Sequence, residues 1–185
     1  MAEFPDHPFW DFSLEVYMSE GVGAVCLKLQ DAHELDVNVL LFCMWLGASG
    51  RGGLSAVEMK IVTGAVQEWH NEVVRELRAV RVRMKSGIAS APADLSESLR
   101  QRIQKTEIDC EHTEQLMLVA AIKKCSDDSR AEDARLLDAV ANIAEYFASF
   151  GGTASDMDRA NVAHMLGVVF SGQAGDVIRD ACKKL

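Results

Sequence analysis

Apolar residues recur at intervals of three and four along most of this chain, the spacing that places side chains on one face of an α-helix. No stretch shows the sustained alternation of apolar and polar residues that is typical of strands. The three prolines, Pro5, Pro8 and Pro92, stand between the periodic stretches. The sequence therefore predicts an all-α fold, with residues 1–185 forming a single domain, a helical bundle of about seven helices.

Two of the predicted helices are unusually long. The first covers about residues 55–85 and carries one continuous apolar stripe. The second covers about residues 95–124, and its stripe is weaker in the middle. Between them, residues 86–94 are rich in Gly, Ser, Ala and Pro, which is typical of a linker that is able to move. The stripe of the first long helix consists of Val62, Val66, Trp69, Val73, Leu77, Val80 and Met84.

A shorter helix is predicted at the centre of the bundle. Residues 39–46 are apolar on every side, and a helix of this kind is buried on every side. Asp36 is a good N-cap for it, and the glycines around Arg51 predict a flexible loop after it. We expect the walls around this helix to be formed by Trp10, Phe12, Trp69 and Val73.

Composition narrows the class of partner. The net charge of −9 argues against a nucleic acid or an anionic membrane as a partner, because phosphates require basic surfaces. The first residues lack the basic and apolar pattern of a secretory signal, so we expect none, and the apolar runs of the chain are too short to cross a bilayer. The five cysteines are an odd number without a C-x-x-C pair, which indicates reduced thiols. We therefore expect a cytoplasmic protein.

The first candidate site is the pair Asp36 and Asn38 at the head of the central helix. In a structural interpretation, Asp36 caps the helix and Asn38 binds a neighbouring loop. In a functional interpretation, both residues line the rim of a pocket where the helix N-terminus faces an anion.

The second candidate is a basic face on the first long helix, with Arg75, Arg78 and Arg81 at helical spacing. In an acidic protein this face could bind an acidic partner, a phosphate or the acidic helix of the same chain. The alternative is a solvated face, because basic residues favour the C-terminal half of a helix.

The third candidate is the acidic face of Glu107, Glu111 and Glu114 on the second long helix. Three carboxylates on one face repel each other unless a cation lies nearby. An ionic contact with the basic helix, a solvated face and a metal site all remain open, and in a hairpin of the two helices we expect Arg75 to pair with Glu107. Di-metal bundles use Glu-x-x-His pairs, and none occurs near His112 or His164. We predict no catalytic residue, no metal and no cofactor.

Three segments also resemble a known family. These are Phe9-Trp10-x-Phe12-Ser13-Leu14-x-Val16-Tyr17, Cys26-Leu27-x-Leu29-Gln30-Asp31 and Asp36-Val37-Asn38-x-Leu40-Leu41-Phe42. Together with Trp69, the Leu77–Arg81 segment and the acidic helix, this pattern resembles an uncharacterised bacterial family of small helical proteins. The resemblance covers about the first two thirds of the chain and implies an all-helical fold without a known activity.

Two functions remain as hypotheses. The first is an accessory protein that binds another protein, or a second copy of itself along a long helix. The second is a helical bundle that binds a small apolar or anionic ligand, as an enzyme or otherwise. Its pocket would lie between the N-terminal helices and the Trp69 face, with Arg78 or Asp36 at the rim.

Overall fold

The computed structural model describes residues 4–88 and 90–185, and these residues form helices and no strand. The prediction of a single all-helical domain is confirmed. Counting residues 56–85 as one continuous helix gives eight helices in the described part, one more than the predicted number. The elements are α1 Pro8–Met18, α2 Val22–His33, α3 Val37–Ala48, α4 Ala56–Trp69, a π-helical turn His70–Val74, α5 Arg75–Lys85, α6 Ala93–Ala121, α7 Glu132–Ser149, α8 Asp156–Val169 and α9 Gly175–Cys182.

Local signals set where several helices begin and end. Asp36 and Ser55 are the N-caps of α3 and α4, and Ser155 forms a capping box with Asp158 at the start of α8. Gly151, with φ of 72°, lies just after α7 in the left-handed region that glycine tolerates. The first long helix begins at residue 56, and the second covers 93–121, so it ends three residues earlier than predicted. Within the predicted linker, Ala89 lies outside the described residues.

Helix α3 lies at the centre of the bundle, as predicted. Its residues from Asn38 to Gly47 are all buried. The most extensive contact of α3 is with α7, a helix that the sequence did not single out as its neighbour. Close approach is possible because Gly47 lies directly against Ala139 of α7, where a side chain would collide with the backbone.

The predicted walls around α3 were wrong in part. Phe9 fills the place expected for Trp10, with its ring centroid 5.2 Å from those of Phe42 and Trp45. Trp10 faces away from α3 and stacks on His112 of α6, at 4.1 Å between ring centroids. Phe12 does pack against the core as a partly buried side chain. In a helix one position turns a side chain by about 100°, so a shift from one residue to the next selects a different neighbour.

The first long helix also differs from the prediction, because Trp69 and Val73 do not form a wall of α3. The Trp69 indole N–H donates to the Cys110 carbonyl oxygen of α6 at 3.0 Å. Val74, not Val73, is fully buried, because the π-helical turn that begins at His70 changes the face that follows it. Trp69 and Val74 therefore face α6 or the interior near it. The place beside α3 that was expected for this helix is occupied by α7.

No helix formed by the described residues combines the length and the apolar character needed to cross a bilayer. All five cysteines are unpaired thiols, with Cys26 and Cys43 buried in the core as expected.

Candidate functional site

A buried group of polar side chains surrounds the first turn of α3. The Asp36 carboxylate caps this helix by accepting a hydrogen bond from the Asn38 backbone N–H, at 2.8 Å from Oδ1. The Asp36 backbone N–H donates to the Tyr146 hydroxyl of α7 at 2.8 Å. The Tyr146 hydroxyl in turn donates to the Asp36 carbonyl oxygen at 3.3 Å. Helix α7 therefore holds the Asp36 backbone in place through Tyr146.

Two further side chains meet the free edge of the Asp36 carboxylate. His70 Nδ1 lies 3.0 Å from Glu114 Oε1 and 3.3 Å from Asp36 Oδ2. One atom from each of these three residues lies within 4.8 Å of the other two. We call this group the Asp36–His70–Glu114 triangle. Its residues come from three distant parts of the sequence, at α3, the π-helical turn and α6.

The π-helical turn determines where His70 lies. The turn covers residues 70–74, so His70 is its first residue, directly after α4. A π-helical turn inserts one extra residue into a helix and is often found at functional sites. Trp69, one residue earlier, anchors this point of the helix to α6 through its bond to the Cys110 carbonyl.

Amide side chains hold the outer edge of the Glu114 carboxylate. Asn38 Nδ2 donates to Glu114 Oε2 at 2.6 Å, and Gln115 Nε2 donates to Asn38 Oδ1 at 2.9 Å. Each carboxylate of the triangle thus has one oxygen bound by an amide N–H and the other directed to His70. Outer hydrogen bonds of this kind orient ligands in metal sites.

The pKa values of Asp36 and His70 in the triangle are both raised. Burial, followed by the negative charge of Glu114, raises the pKa of Asp36 to about 7. Burial alone would lower the pKa of His70, but the Glu114 hydrogen bond and the Asp36 charge outweigh burial and raise the pKa. The Asp36 carboxyl and the His70 imidazole therefore hold protons more tightly than usual, and a bound cation would displace these protons.

One oxygen of the triangle lacks a hydrogen bond. Asp36 is 8% exposed, and its buried Oδ2 accepts no hydrogen bond from the described residues. An imidazole nitrogen carries at most one proton, and His70 Nδ1 has Glu114 Oε1 as its nearer acceptor. An unpaired buried carboxylate oxygen is costly. The arrangement offers two carboxylate oxygens and one imidazole nitrogen, in reach of one another, to a cation.

A polar cavity of 220 Å³ adjoins the triangle at His70. Asp31 and Glu34 at the end of α2 contribute carboxylates to its wall, and Arg75 contributes a cation. Arg78 and Asp36, the rim residues expected from the sequence, do not line it. The cavity gives small ions from solvent a route to His70.

An ionic cluster lies next to the triangle on α5 and α6, and we call it the arginine–glutamate seam. Arg78 Nε donates to Glu107 Oε1 at 2.9 Å, and Arg78 also binds Glu111 and the Gln30 side chain. Arg81 binds Glu107 through two nitrogens. Of the alternatives that the sequence left open for the acidic face, these pairs show the ionic contact between the two long helices at Glu107 and Glu111.

Burial and charge act in opposite directions within the seam. Burial favours the neutral form of Glu107, but Arg81 and Arg78 outweigh it and hold the pKa of this carboxyl below its usual value. Burial dominates at Glu111 and raises its pKa despite the contact with Arg78. The pKa of Arg78 is raised, because its carboxylate partners outweigh the cost of burial.

The structure separates the predicted candidates into two groups and corrects two assignments. Asp36, Asn38 and Glu114 meet around the triangle, so Glu114 faces His70 and not an arginine. Arg75 does not pair with Glu107, and its exposed side chain lines the cavity beside His70. The seam consists of Arg78, Arg81, Glu107 and Glu111.

Sequence reasoning missed His70, Gln115 and Tyr146. No histidine has ligand spacing along the chain, because the partners of His70 lie 34 residues before it and 44 residues after it. A weak signal did exist, since His70 follows Trp69 on a helix that was expected to pack against the acidic helix. Nothing in the sequence indicated that Tyr146 would reach Asp36.

Comparison with known protein families shows the family to which the chain belongs. Residues 8–118 match the family described as a protein of unknown function, DUF2390. The match covers more than half of the chain. The chain belongs to this family. The resemblance to an uncharacterised family is confirmed in this form. No curated protein and no solved structure matches the chain significantly.

The DUF2390 segment contains the triangle and the seam in full. Asp36, His70 and Glu114 all lie within residues 8–118, and so do the four residues of the seam. Helices α7 to α9 lie beyond the matched segment, and α7 supports the site through Tyr146.

Proposed function

We propose that this protein binds a divalent first-row transition-metal cation at the Asp36–His70–Glu114 triangle. The observation that carries the proposal is the buried Asp36 Oδ2, which accepts no hydrogen bond from the described residues and lies beside His70 Nδ1 and Glu114. A cation between these atoms would satisfy this oxygen and offset the repulsion between the two carboxylates. The proposal departs from the sequence-based expectation that no metal is bound.

The donor atoms favour one class of cation. Two carboxylate oxygens and one imidazole nitrogen suit Zn²⁺, Mn²⁺ or Fe²⁺, whereas Mg²⁺ and Ca²⁺ prefer sets of oxygen ligands. Three protein ligands leave coordination positions for water or a small ligand, as in catalytic zinc sites. Hydrogen bonds from Asn38 hold both carboxylates in place. Its side-chain amide donates to Glu114, and its backbone N–H donates to Asp36.

The cytosol is the compartment that we propose for this function. All five cysteines are free thiols, and Cys125 is exposed to solvent. Free thiols persist in a reducing compartment.

Metal binding can be measured by equilibrium dialysis of protein first treated with a chelator. We expect Zn²⁺ and Mn²⁺ to bind one per chain, and we expect His70→Gln and Glu114→Gln each to weaken binding at least about tenfold, which is the usual lower bound when a supporting or direct ligand is lost. Because protons on Asp36 and His70 must leave first, binding should be at least about tenfold tighter at pH 8 than at pH 6.

A matched control separates this site from surface histidines. His164 is exposed and contacts the Glu20 backbone, so His164→Gln should bind metal as the wild type does. Saturating metal should also raise the stability of the wild type, by about 2.7 kcal/mol at a hundred times the dissociation constant. Equal binding by the wild type, His70→Gln and Glu114→Gln would rule out the triangle as the site.

The hairpin of α5 and α6 favours a second candidate function, the predicted protein–protein interaction. Helix α5 contributes no buried residue and packs mainly against α6. Val82 and Leu99 are each about half exposed, at 53% and 49%. Exposed apolar side chains that lie together on a helical hairpin are typical of an interaction surface. We infer that a second copy of the chain packs along this hairpin.

The oligomeric state tests this second function. Sedimentation equilibrium should show a dimer for the wild type, and Val82→Asp should convert the protein to a monomer. Val57→Asp is the matched control, because Val57 is 70% exposed on α4 and lies outside the hairpin. A wild type that stays monomeric across the accessible concentrations, or an equal effect of Val57→Asp, would exclude dimerisation through the hairpin.

A further inference from the structure

The loop after α3 has a defined conformation and carries one half-buried arginine. Arg51 lies between Gly50 and Gly52, whose φ angles are 69° and 82°. Both angles lie in the left-handed region that glycine adopts without strain. A Cβ atom at Gly50 would also collide with the Asp127 carbonyl oxygen. Two glycines are therefore required for the path of the chain on either side of Arg51.

Hydrogen bonds hold this loop on both sides, in contrast to the flexible loop that the sequence suggested. The Arg51 backbone N–H donates to the Leu46 carbonyl oxygen at 2.8 Å. Asn142 Oδ1 of α7 accepts a hydrogen bond from the Leu54 N–H at 2.6 Å. Asn142 Nδ2 donates to the Gly52 carbonyl oxygen at 3.2 Å. The loop backbone is thereby tied to α3 and α7.

A cavity of 270 Å³ lies beneath this loop, between α3 and the end of α6. It is at the opposite end of α3 from Asp36, so it is separate from the metal triangle. Its wall is largely apolar, and its rim is cationic. The walls include Phe42, Leu46 and Ile122, and the rim includes Arg51, Lys123 and Lys124.

The charge around this cavity differs from that of the rest of the molecule. The chain carries a net charge of −9, yet no Asp or Glu lines the cavity. Among the described residues, no carboxylate forms an ion pair with Arg51 or Lys123. Lys124 pairs with Glu58 at 3.1 Å and donates to the Gly53 carbonyl oxygen at 2.7 Å. Two cations at the rim thus lack an anionic partner in the described part of the chain.

Arg51 is also held in position at the rim. Its guanidinium carbon lies 4.1 Å from the centroid of the Trp45 ring, in a cation–π contact. A guanidinium supported on its face by an aromatic ring keeps its edge N–H groups for a planar anion. His7, which also lines the cavity, has a pKa lowered by burial and by the Arg51 charge.

We propose that this cavity binds a small organic carboxylate with an apolar body. The carboxylate lies against Arg51 and Lys123, and the apolar body packs against Phe42, Leu46 and Ile122. Ligand sites commonly combine apolar walls with a few placed polar groups, and this cavity lies just below their usual range of about 300–1,000 Å³. The ligand is therefore a short-chain or single-ring acid and not a long lipid.

Three probes with one six-carbon chain test the proposal: hexanoate, hexan-1-ol and hexylammonium. Isothermal titration calorimetry should show hexanoate binding about tenfold or more tighter than hexan-1-ol, since a charge-assisted hydrogen bond contributes about this factor. Hexylammonium should bind most weakly. The indole N–H resonance of Trp45 should shift with hexanoate, which places the ligand in this cavity.

Variants of the rim decide the role of the cations. Arg51→Gln should abolish the preference for hexanoate over hexan-1-ol, and Arg83→Gln, the same change on an exposed arginine of α5, should leave the preference intact. Lys123→Gln provides a second test that does not touch the Trp45 ring, and it should reduce the preference severalfold. Equal affinity for the three probes in the wild type, or an unchanged preference in both rim variants, overturns the proposal. Absence of any hexanoate binding does so as well.

Discussion

Gly47→Ala should lower the free energy of unfolding by about 3 kcal/mol or more, at the upper end of the cost of overpacking a core. A Cβ atom on Gly47 would lie 2.5 Å from the Ala139 backbone nitrogen and 2.6 Å from its Cβ atom. Neither obstacle is the end of a flexible side chain, so α3 and α7 would have to move apart. These helices form the most extensive contact of the fold, and their separation would open the core around Cys43, whose carbonyl oxygen accepts a hydrogen bond from Asn142 of α7.

The control for this substitution is Gly64→Ala in α4. A Cβ atom at Gly64 meets nothing within 4 Å, and the residue is exposed in a helix. Alanine there should raise stability by about 0.5–1 kcal/mol, because it restricts the unfolded chain and favours a helix. Urea unfolding monitored by circular dichroism measures both variants. A Gly47→Ala protein as stable as the wild type would mean that α3 and α7 are not in close contact.

Arg78→Met should lower the free energy of unfolding by about 2–3 kcal/mol. Breaking a buried ion pair costs about 3–5 kcal/mol, and we take a lower figure because the Arg78 and Glu111 side chains remain 21% and 25% exposed. Methionine keeps the apolar length of the side chain but leaves Glu111 without its cation. Glu107 keeps Arg81 as a partner.

Arg75→Met is the matched control for the seam. Arg75 is exposed one turn earlier and has no ion pair with the described residues, so its loss should stay within about 0.5 kcal/mol. A double-mutant cycle on Arg78 and Glu111 should give a coupling of about 1 kcal/mol or more. Additive effects, or an equal loss for Arg75→Met, would show that the seam does not stabilise the protein.

The helical architecture could be predicted from the sequence because helix formation depends on local patterns. Spacing of apolar residues by three and four marked the helices, and Asp36 marked the start of α3. The all-apolar run from Val39 to Leu46 had to lie in the centre, since no face of it could meet water. The helix that covers it could not be predicted, because that depends on tertiary packing. Helix α7 covers it because the small residues Gly47 and Ala139 allow close approach.

The register of the α5–α6 hairpin could not be obtained by counting residues from the linker. Residues equally far from the middle of the linker would meet in a symmetrical hairpin, and this sets Arg78 opposite Gln101. The partners of Arg78 are instead Glu107 and Glu111. Side chains in an α-helix lean toward its N-terminus. Those of α5 therefore lean away from the linker, and those of α6 lean back toward it. This tilt brings an arginine to carboxylates that lie further along α6.

The triangle was hidden for a different reason. Asp36, His70 and Glu114 each had a plausible role in their own segment, and only the packing of three helices brings them together. The π-helical turn at residues 70–74 adds to the difficulty, because an inserted residue breaks the regular spacing from which a helical face is predicted.

The most direct test of the metal proposal is anomalous X-ray diffraction from crystals of the chelator-treated protein soaked separately with Zn²⁺ and Mn²⁺. Data collected on either side of each metal absorption edge locate the metal without reference to affinity or stability. We expect an anomalous peak between Asp36 Oδ2, His70 Nδ1 and Glu114 Oε1, at about 2.0–2.2 Å from each atom for Zn²⁺. Peaks confined to other histidines or to the exposed Cys125, with none at the triangle, would contradict the metal proposal.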